Sequence, residues 1–122
     1  MKTKDHEQIL THIRSDAVNK DLNLTHQNRH IPSSGGYIEG RSFIYDDVDP
    51  KALIDRYHGT GSIRFSESGK WVNKEFITLD RDIGVQVEQL TGIQTPTNSF
   101  SIHYSKKGAH VVPSRRQANV SR

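Results

Sequence analysis

Apolar and polar residues alternate with a helical period near the N-terminus. Ile9, Leu10, Ile13 and Ala17 recur at that spacing with polar residues between them, which predicts an amphipathic helix over residues 5–18. A long polar stretch follows over residues 19–42, rich in Asn, Ser, Gly and His. Pro32-Ser33-Ser34-Gly35-Gly36 punctuates it as a loop. A second helix starts at Asp49-Pro50. Asp49 suits the N-cap and Pro50 the first helical position, where a missing N–H costs nothing. Leu53, Ile54 and Tyr57 form its apolar face, and Gly59-Thr60-Gly61 ends it.

Beyond this point the pattern is that of strands. Trp71–Leu79, Gly84–Val87, Phe100–Tyr104 and Ala109–Val112 are β-rich runs. Turns are expected at Gly69, Gly84, Thr95-Pro96-Thr97-Asn98 and Lys107-Gly108. These connections suit antiparallel hairpins and are too short for helical crossovers. Helices first and strands afterwards predict an α+β fold, with the helices on one face of an antiparallel sheet of about four strands. Residues 114–122 are polar and expected to be disordered.

Composition narrows the picture. The chain has 122 residues, enough for one domain, and only 32% are hydrophobic, which implies a small core. No apolar run is long enough to cross a membrane, and no secretory signal is visible at the N-terminus. The absence of cysteine excludes disulfides, thiolate metal sites and a cysteine nucleophile. The net charge of +3 conceals an asymmetry: residues 89–122 hold five Lys or Arg and no acid. Such a segment attracts polyanions such as RNA, although a solvated basic tail has the same composition.

The densest candidate chemistry lies in His103-Tyr104-Ser105-Lys106-Lys107-Gly108-Ala109-His110. In a strand, His103 and Ser105 share one face and Tyr104 takes the other. A two-residue turn at Lys107-Gly108 would set Ser105 opposite His110. A three-residue loop over Lys106–Gly108 would set Tyr104 there and dissolve the cluster. A second group is His26-Gln27-Asn28-Arg29-His30-Ile31 with Arg41. His30 can serve as a general acid or base, and Arg41 can hold a phosphate with its planar fork. A structural loop histidine is the plainer alternative. Glu75 shares a strand face with Trp71, Ile77 and Leu79, and a partly buried carboxylate there can act as a base or pair with a lysine. Metal binding is disfavoured: the histidines lack helical metal spacing, and Asp46-Asp47-x-Asp49 reads as a turn and helix cap. No dinucleotide or P-loop motif implies a cofactor.

Five segments in order resemble one known family. They are His26–Ile31, Tyr37-Ile38-x-Gly40-Arg41-Ser42, Tyr57-His58-Gly59-Thr60-Gly61, Trp71-x-Asn73-Lys74-Glu75, and Ile102-His103-Tyr104-Ser105-Lys106-Lys107-Gly108-Ala109-His110-Val111-Val112-Pro113. Together they resemble the polymorphic toxin type 50 family, described as ribonuclease toxins of the barnase–EndoU–colicin E5/D–RelE-like group and found also on phage proteins. The resemblance spans residues 26–113. It leaves 1–25 as a helical extension and 114–122 as a basic tail. It implies N-terminal helices on a twisted sheet and a metal-independent endoribonuclease that needs no cofactor. In that reading His30 and His110 transfer protons, with His103 as a substitute. Arg41 and Lys106 hold the phosphate, Ser105 donates to it, and Glu75 is the alternative base. Arg29, Lys107, Tyr37 and Tyr104 bind substrate. The implied partners are RNA, with tRNA as a reasonable class, and an immunity protein. The implied place of action is the bacterial cytoplasm, from a phage-encoded or delivered protein. The alternative expectation is a non-catalytic, phage-associated module that binds nucleic acid on the same fold.

Overall fold

Asp49 begins a helix as its sequence predicts, its carboxylate accepting the Lys51 N–H at 3.0 Å while Pro50 occupies the first turn. The computed structural model describes residues 4–118. Within them are three helices: α1 (Lys4–Arg14), α2 (Leu24–Asn28) and α3 (Pro50–Tyr57). Seven strands accompany them: β1 (Phe43–Ile44), β2 (Ser62–Phe65), β3 (Trp71–Thr78), β4 (Gly84–Val87), β5 (Gln94–Thr97), β6 (Ser99–Ser105) and β7 (Gly108–Pro113).

The class is α+β with antiparallel pairing throughout both sheets, but the strands form two sheets rather than one. A four-stranded sheet runs β2-β3-β6-β7, and a three-stranded sheet runs β1-β4-β5. Gly84–Val87 therefore leaves the main sheet, and β2 takes the fourth place in it. The segment around Pro96 is a strand rather than a turn. Proline is tolerated because β5 is an edge and its missing N–H faces no partner strand.

One face of the main sheet is apolar. Ile63, Ile77, Phe100, Ile102 and Val111 pack there against Leu10 and Ile13 of α1 and Leu53 and Ile54 of α3. The first helix thus contributes Leu10 and Ile13 to the core. It stops at Arg14, short of the expected residue 18, because its last carbonyls find other donors. The Lys20 ammonium donates to the carbonyls of Ile13 at 2.8 Å and Ser15 at 2.6 Å.

The other end of the chain is also tied down as far as it is described. Ser114 N–H donates to the Ser99 carbonyl, and Gln117 N–H donates to the Asn98 side chain. Residues 114–118 therefore follow the sheet instead of leaving it, because Asn98 and Ser99 at the start of β6 supply hydrogen-bond partners. The expectation for 119–122 lies outside the described residues.

A convergence of histidines on the polar face

The β6–β7 hairpin adopts neither register considered from the sequence. Ser105 pairs with Gly108, so the turn residues are Lys106 and Lys107, and His103 stands directly opposite His110. Gly108 carries φ +120°, and a Cβ there would meet the Asp21 carbonyl oxygen at 2.5 Å. Only glycine permits this backbone, and it fixes the register. Strand alternation then sends both imidazoles to the face opposite the core.

A side chain brings the second pair of histidines to the same place. Gln27 of α2 is fully buried. Its Nε2 donates to the Val111 carbonyl at 2.9 Å, and its Oε1 accepts the Val111 N–H at 2.6 Å. The carboxamide thus completes the free edge of β7 as a strand would. Just upstream, Ala109 N–H donates to the Asp21 carbonyl at 2.7 Å, and Asn23 N–H donates to the Ala109 carbonyl at 2.8 Å. These bonds seat α2 beside β7. His26 and His30, four residues apart, then both face His110.

The rings form a compact group. The His110 centroid lies 4.9 Å from His103, 5.2 Å from His26 and 6.1 Å from His30, with the last pair nearly parallel at 15°. His30 is 6% exposed, and its Nδ1–H donates to the Ser42 carbonyl at 2.9 Å, which leaves Nε2 as an acceptor. The Ser42 hydroxyl in turn accepts the Val87 N–H at 2.9 Å, so the second sheet fixes the His30 tautomer. Ser101 Oγ lies 2.9 Å from His103 Nε2 and forms a hydrogen bond with it.

Burial and crowding favour the neutral form of His30, His103 and His110. Burial lowers the His110 pKa to about 3, with His103, His30, His26 and Arg29 adding to the effect. Burial, then Lys74 and His30, lowers His103 to about 4. His30 is lowered by burial, opposed by its bond to Ser42, and lowered further by Arg41 and Arg29. Neutral imidazoles can take a proton, and their closeness discourages a second one. No group of three or more His, Asp or Glu among the described residues is arranged to hold a metal ion.

The other expected residues divide by position. Arg41 is exposed and shares a cleft of about 390 Å³ with His30, Gln86, Gln89 and Arg115. Tyr37 braces its loop, its hydroxyl donating to the Arg41 carbonyl at 2.8 Å. Arg29 lies close enough to bear electrostatically on His30 and His110. Lys106 and Lys107 stand at the hairpin tip, and Ser105 is engaged within the turn, donating to the Gly108 carbonyl at 3.0 Å. Lys106 borders a separate hollow with Trp71 and His12.

Glu75 and Tyr104 lie on the core side of the sheet, away from the histidines. Glu75 is fully buried and accepts the Gly59 N–H at 3.0 Å, the Gly61 N–H at 2.7 Å and the Tyr104 hydroxyl at 2.7 Å. The Tyr104 pKa is raised by burial and by Glu75, so its proton stays in that bond. The position makes Glu75 a pin between the α3–β2 loop and the sheet, and it hides Tyr104 from a base. His26, part of the second candidate group but given no role there, belongs to the cluster, and so does Ser101, which was not a sequence candidate. Their only signals are spacing, His26 four residues before His30 and Ser101 two before His103.

The family model for bacterial toxin 50 matches residues 22–113, about three quarters of the chain. The match takes in the whole histidine cluster and begins where the chain first pairs with β7. No curated protein matches the chain.

Proposed function

The chain belongs to the bacterial toxin 50 family, and on that premise we propose that it is a metal-independent endoribonuclease. The observation that carries the reading is the approach of His30, His103 and His26 to within 6.1 Å of His110, ring centre to ring centre. Arg29, Arg41 and Lys74 surround the group. Proton acceptors and cations together are what an RNA phosphodiester requires.

A neutral imidazole removes the proton from the ribose 2′-hydroxyl. The 2′-oxygen attacks the adjacent phosphorus, and the bond from phosphorus to the 5′-oxygen breaks. That oxygen takes a proton from a second imidazole, giving a 2′,3′-cyclic phosphate and a 5′-hydroxyl end. Arg41 and Arg29 stabilise the charge that develops on phosphorus oxygens. The bound phosphodiester is an anion, and an anion raises the pKa of nearby imidazoles. The cluster therefore takes up one proton as substrate binds. One ring then carries the proton and its neighbour does not. His30 and His110 are the assigned pair, and His103 replaces either.

A toxin of this kind calls for a neutralising partner in the producing cell, and an immunity protein covering the polar face is the expected one. Transfer RNA is the first substrate class to examine. The test is incubation of the purified protein with RNA in EDTA. Cyclic-phosphate ends are expected, with His30→Ala and His110→Ala each slowed by about 10²-fold or more. Intact RNA over a wide substrate panel would sink the proposal. Salt-sensitive binding without cleavage would make the chain a binding module instead.

A further inference from the structure

The polar face of the main sheet continues past the histidines. Lys74 pairs with His103 across the β3–β6 ladder, and Phe76 pairs with Ser101 at the next position on the same face. Phe76 thus sits two residues from the Lys74–His103 pair, about 7 Å along the strand. The Arg64 guanidinium of β2 lies over the Phe76 ring, 4.0 Å from its centroid. Arg64 is exposed, and neither of the two ion pairs among the described residues includes it. A hollow of about 390 Å³ opens beside the pair, bordered by Thr78, Ser99, Arg115 and Gln117. Arg115 also borders the cleft that holds His30 and Arg41. No Asp or Glu occupies this face of β2, β3, β6 or β7, since Glu75 points to the core.

A guanidinium held flat on an aromatic ring loses little freedom when its outer face meets a second flat group. Nucleic-acid bases are such groups, and stacking on arginine planes and aromatic rings is a general way to hold unpaired RNA. A cationic face without acids favours the accompanying phosphates. We infer that Arg64, seated on Phe76, is a stacking site for one unpaired base of single-stranded RNA next to the phosphate at the histidine cluster. The inference rests on the ribonuclease reading for what lies beside it, while the stacking site is testable by itself. The site selects single strands over duplexes, because a paired base does not offer its face.

The experiment uses the full chain and a single-stranded 2′-O-methyl oligonucleotide, which lacks the nucleophile and is not cleaved. It carries 2-aminopurine, whose fluorescence falls on stacking, or one abasic residue moved along its length. Wild type is expected to quench the probe and to lose about tenfold in affinity when the abasic residue reaches the site. Arg64→Ala should abolish the quench and make the abasic position indifferent, and Arg64→Lys should keep the charge but not the quench. Phe76→Leu keeps a half-buried apolar side chain and should weaken binding in the same direction. An equal abasic effect in wild type and Arg64→Ala overturns the inference, as does full quenching by Arg64→Lys or absence of binding by wild type. Quenching by a wild type that cleaves no RNA would leave the stacking site standing and remove the ribonuclease reading. Cleavage with unaltered binding by Arg64→Ala and Phe76→Leu would do the reverse.

Discussion

His103 and His110 are direct partners across the β6–β7 ladder, with ring centroids 4.9 Å apart. Two imidazolium ions at that separation repel in a partly buried setting, so protonation of the folded protein is resisted. In the unfolded chain both rings titrate near their ordinary value of about 6.5. Folded, they titrate at about 4 and about 3. Between these limits the unfolded state binds more protons, and stability rises with pH. The contribution is fully present above about pH 7 and is lost progressively as pH falls toward the folded values. The melting temperature should be flat above pH 7 and drop several degrees between pH 6.5 and 5, before most exposed carboxylates titrate. The double variant His103→Asn/His110→Asn should flatten that part of the curve. An unchanged slope in the variant would assign the dependence to other groups.

Glu75 should matter for stability and little for chemistry. Glu75→Gln replaces one accepting oxygen by a donor that faces an N–H or the Tyr104 hydroxyl. Removal of a buried acceptor costs about 2–3 kcal/mol, readable as a lower urea midpoint with an unchanged slope. Tyr104→Phe should lose a comparable or smaller amount. At a temperature where Glu75→Gln remains folded, its RNA cleavage should stay within severalfold of wild type. A hundredfold loss in the folded variant would restore Glu75 as a candidate base.

The Gln27 carboxamide links two elements, so its loss should be felt twice. Gln27→Ala breaks both bonds to Val111 and opens a cavity, at about 2–4 kcal/mol. Gln27→Glu keeps the size but turns an oxygen toward the Val111 carbonyl, and should be at least as harmful. Amide exchange should quicken at Val111 and through residues 23–30. Exchange that stays slow there would show that α2 is held by other contacts.

Ser101→Ala removes the hydroxyl that orients His103. The expected outcome is a several-fold fall in cleavage with little change in melting temperature, because the site is small and the ladder is untouched. The His103 ring resonances should also move in the NMR spectrum. Unaltered shifts together with unaltered cleavage would make the Ser101 contact incidental.

Local signals in the sequence identify the elements that hold themselves. Asp49 and Pro50 announce α3, and the β-rich runs mark β3, β4, β6 and β7. Elements held by distant partners are not legible in this way. Leu24–Asn28 has no apolar periodicity, and its helix depends on Gln27 bonding to a residue 84 positions away. The β5 strand hides behind Pro96, acceptable only because it forms an edge. The histidine candidates are visible as residue types, but their meeting depends on a turn register set by Gly108 against Asp21. The placement of Glu75 on the core side follows from alternation, whereas its three donors come from two other segments.

The bonds between Gln27 and Val111 also set a timetable. His26 and His30 reach His110 only after the last strand has formed and accepted the carboxamide across 84 residues of chain. Contacts of such sequence separation form late and all together. An incompletely synthesised chain that lacks β7, or a chain held unfolded, contains all the residues of α2 but no assembled cluster. Whatever the cluster does, it begins only with completed folding and ends with unfolding.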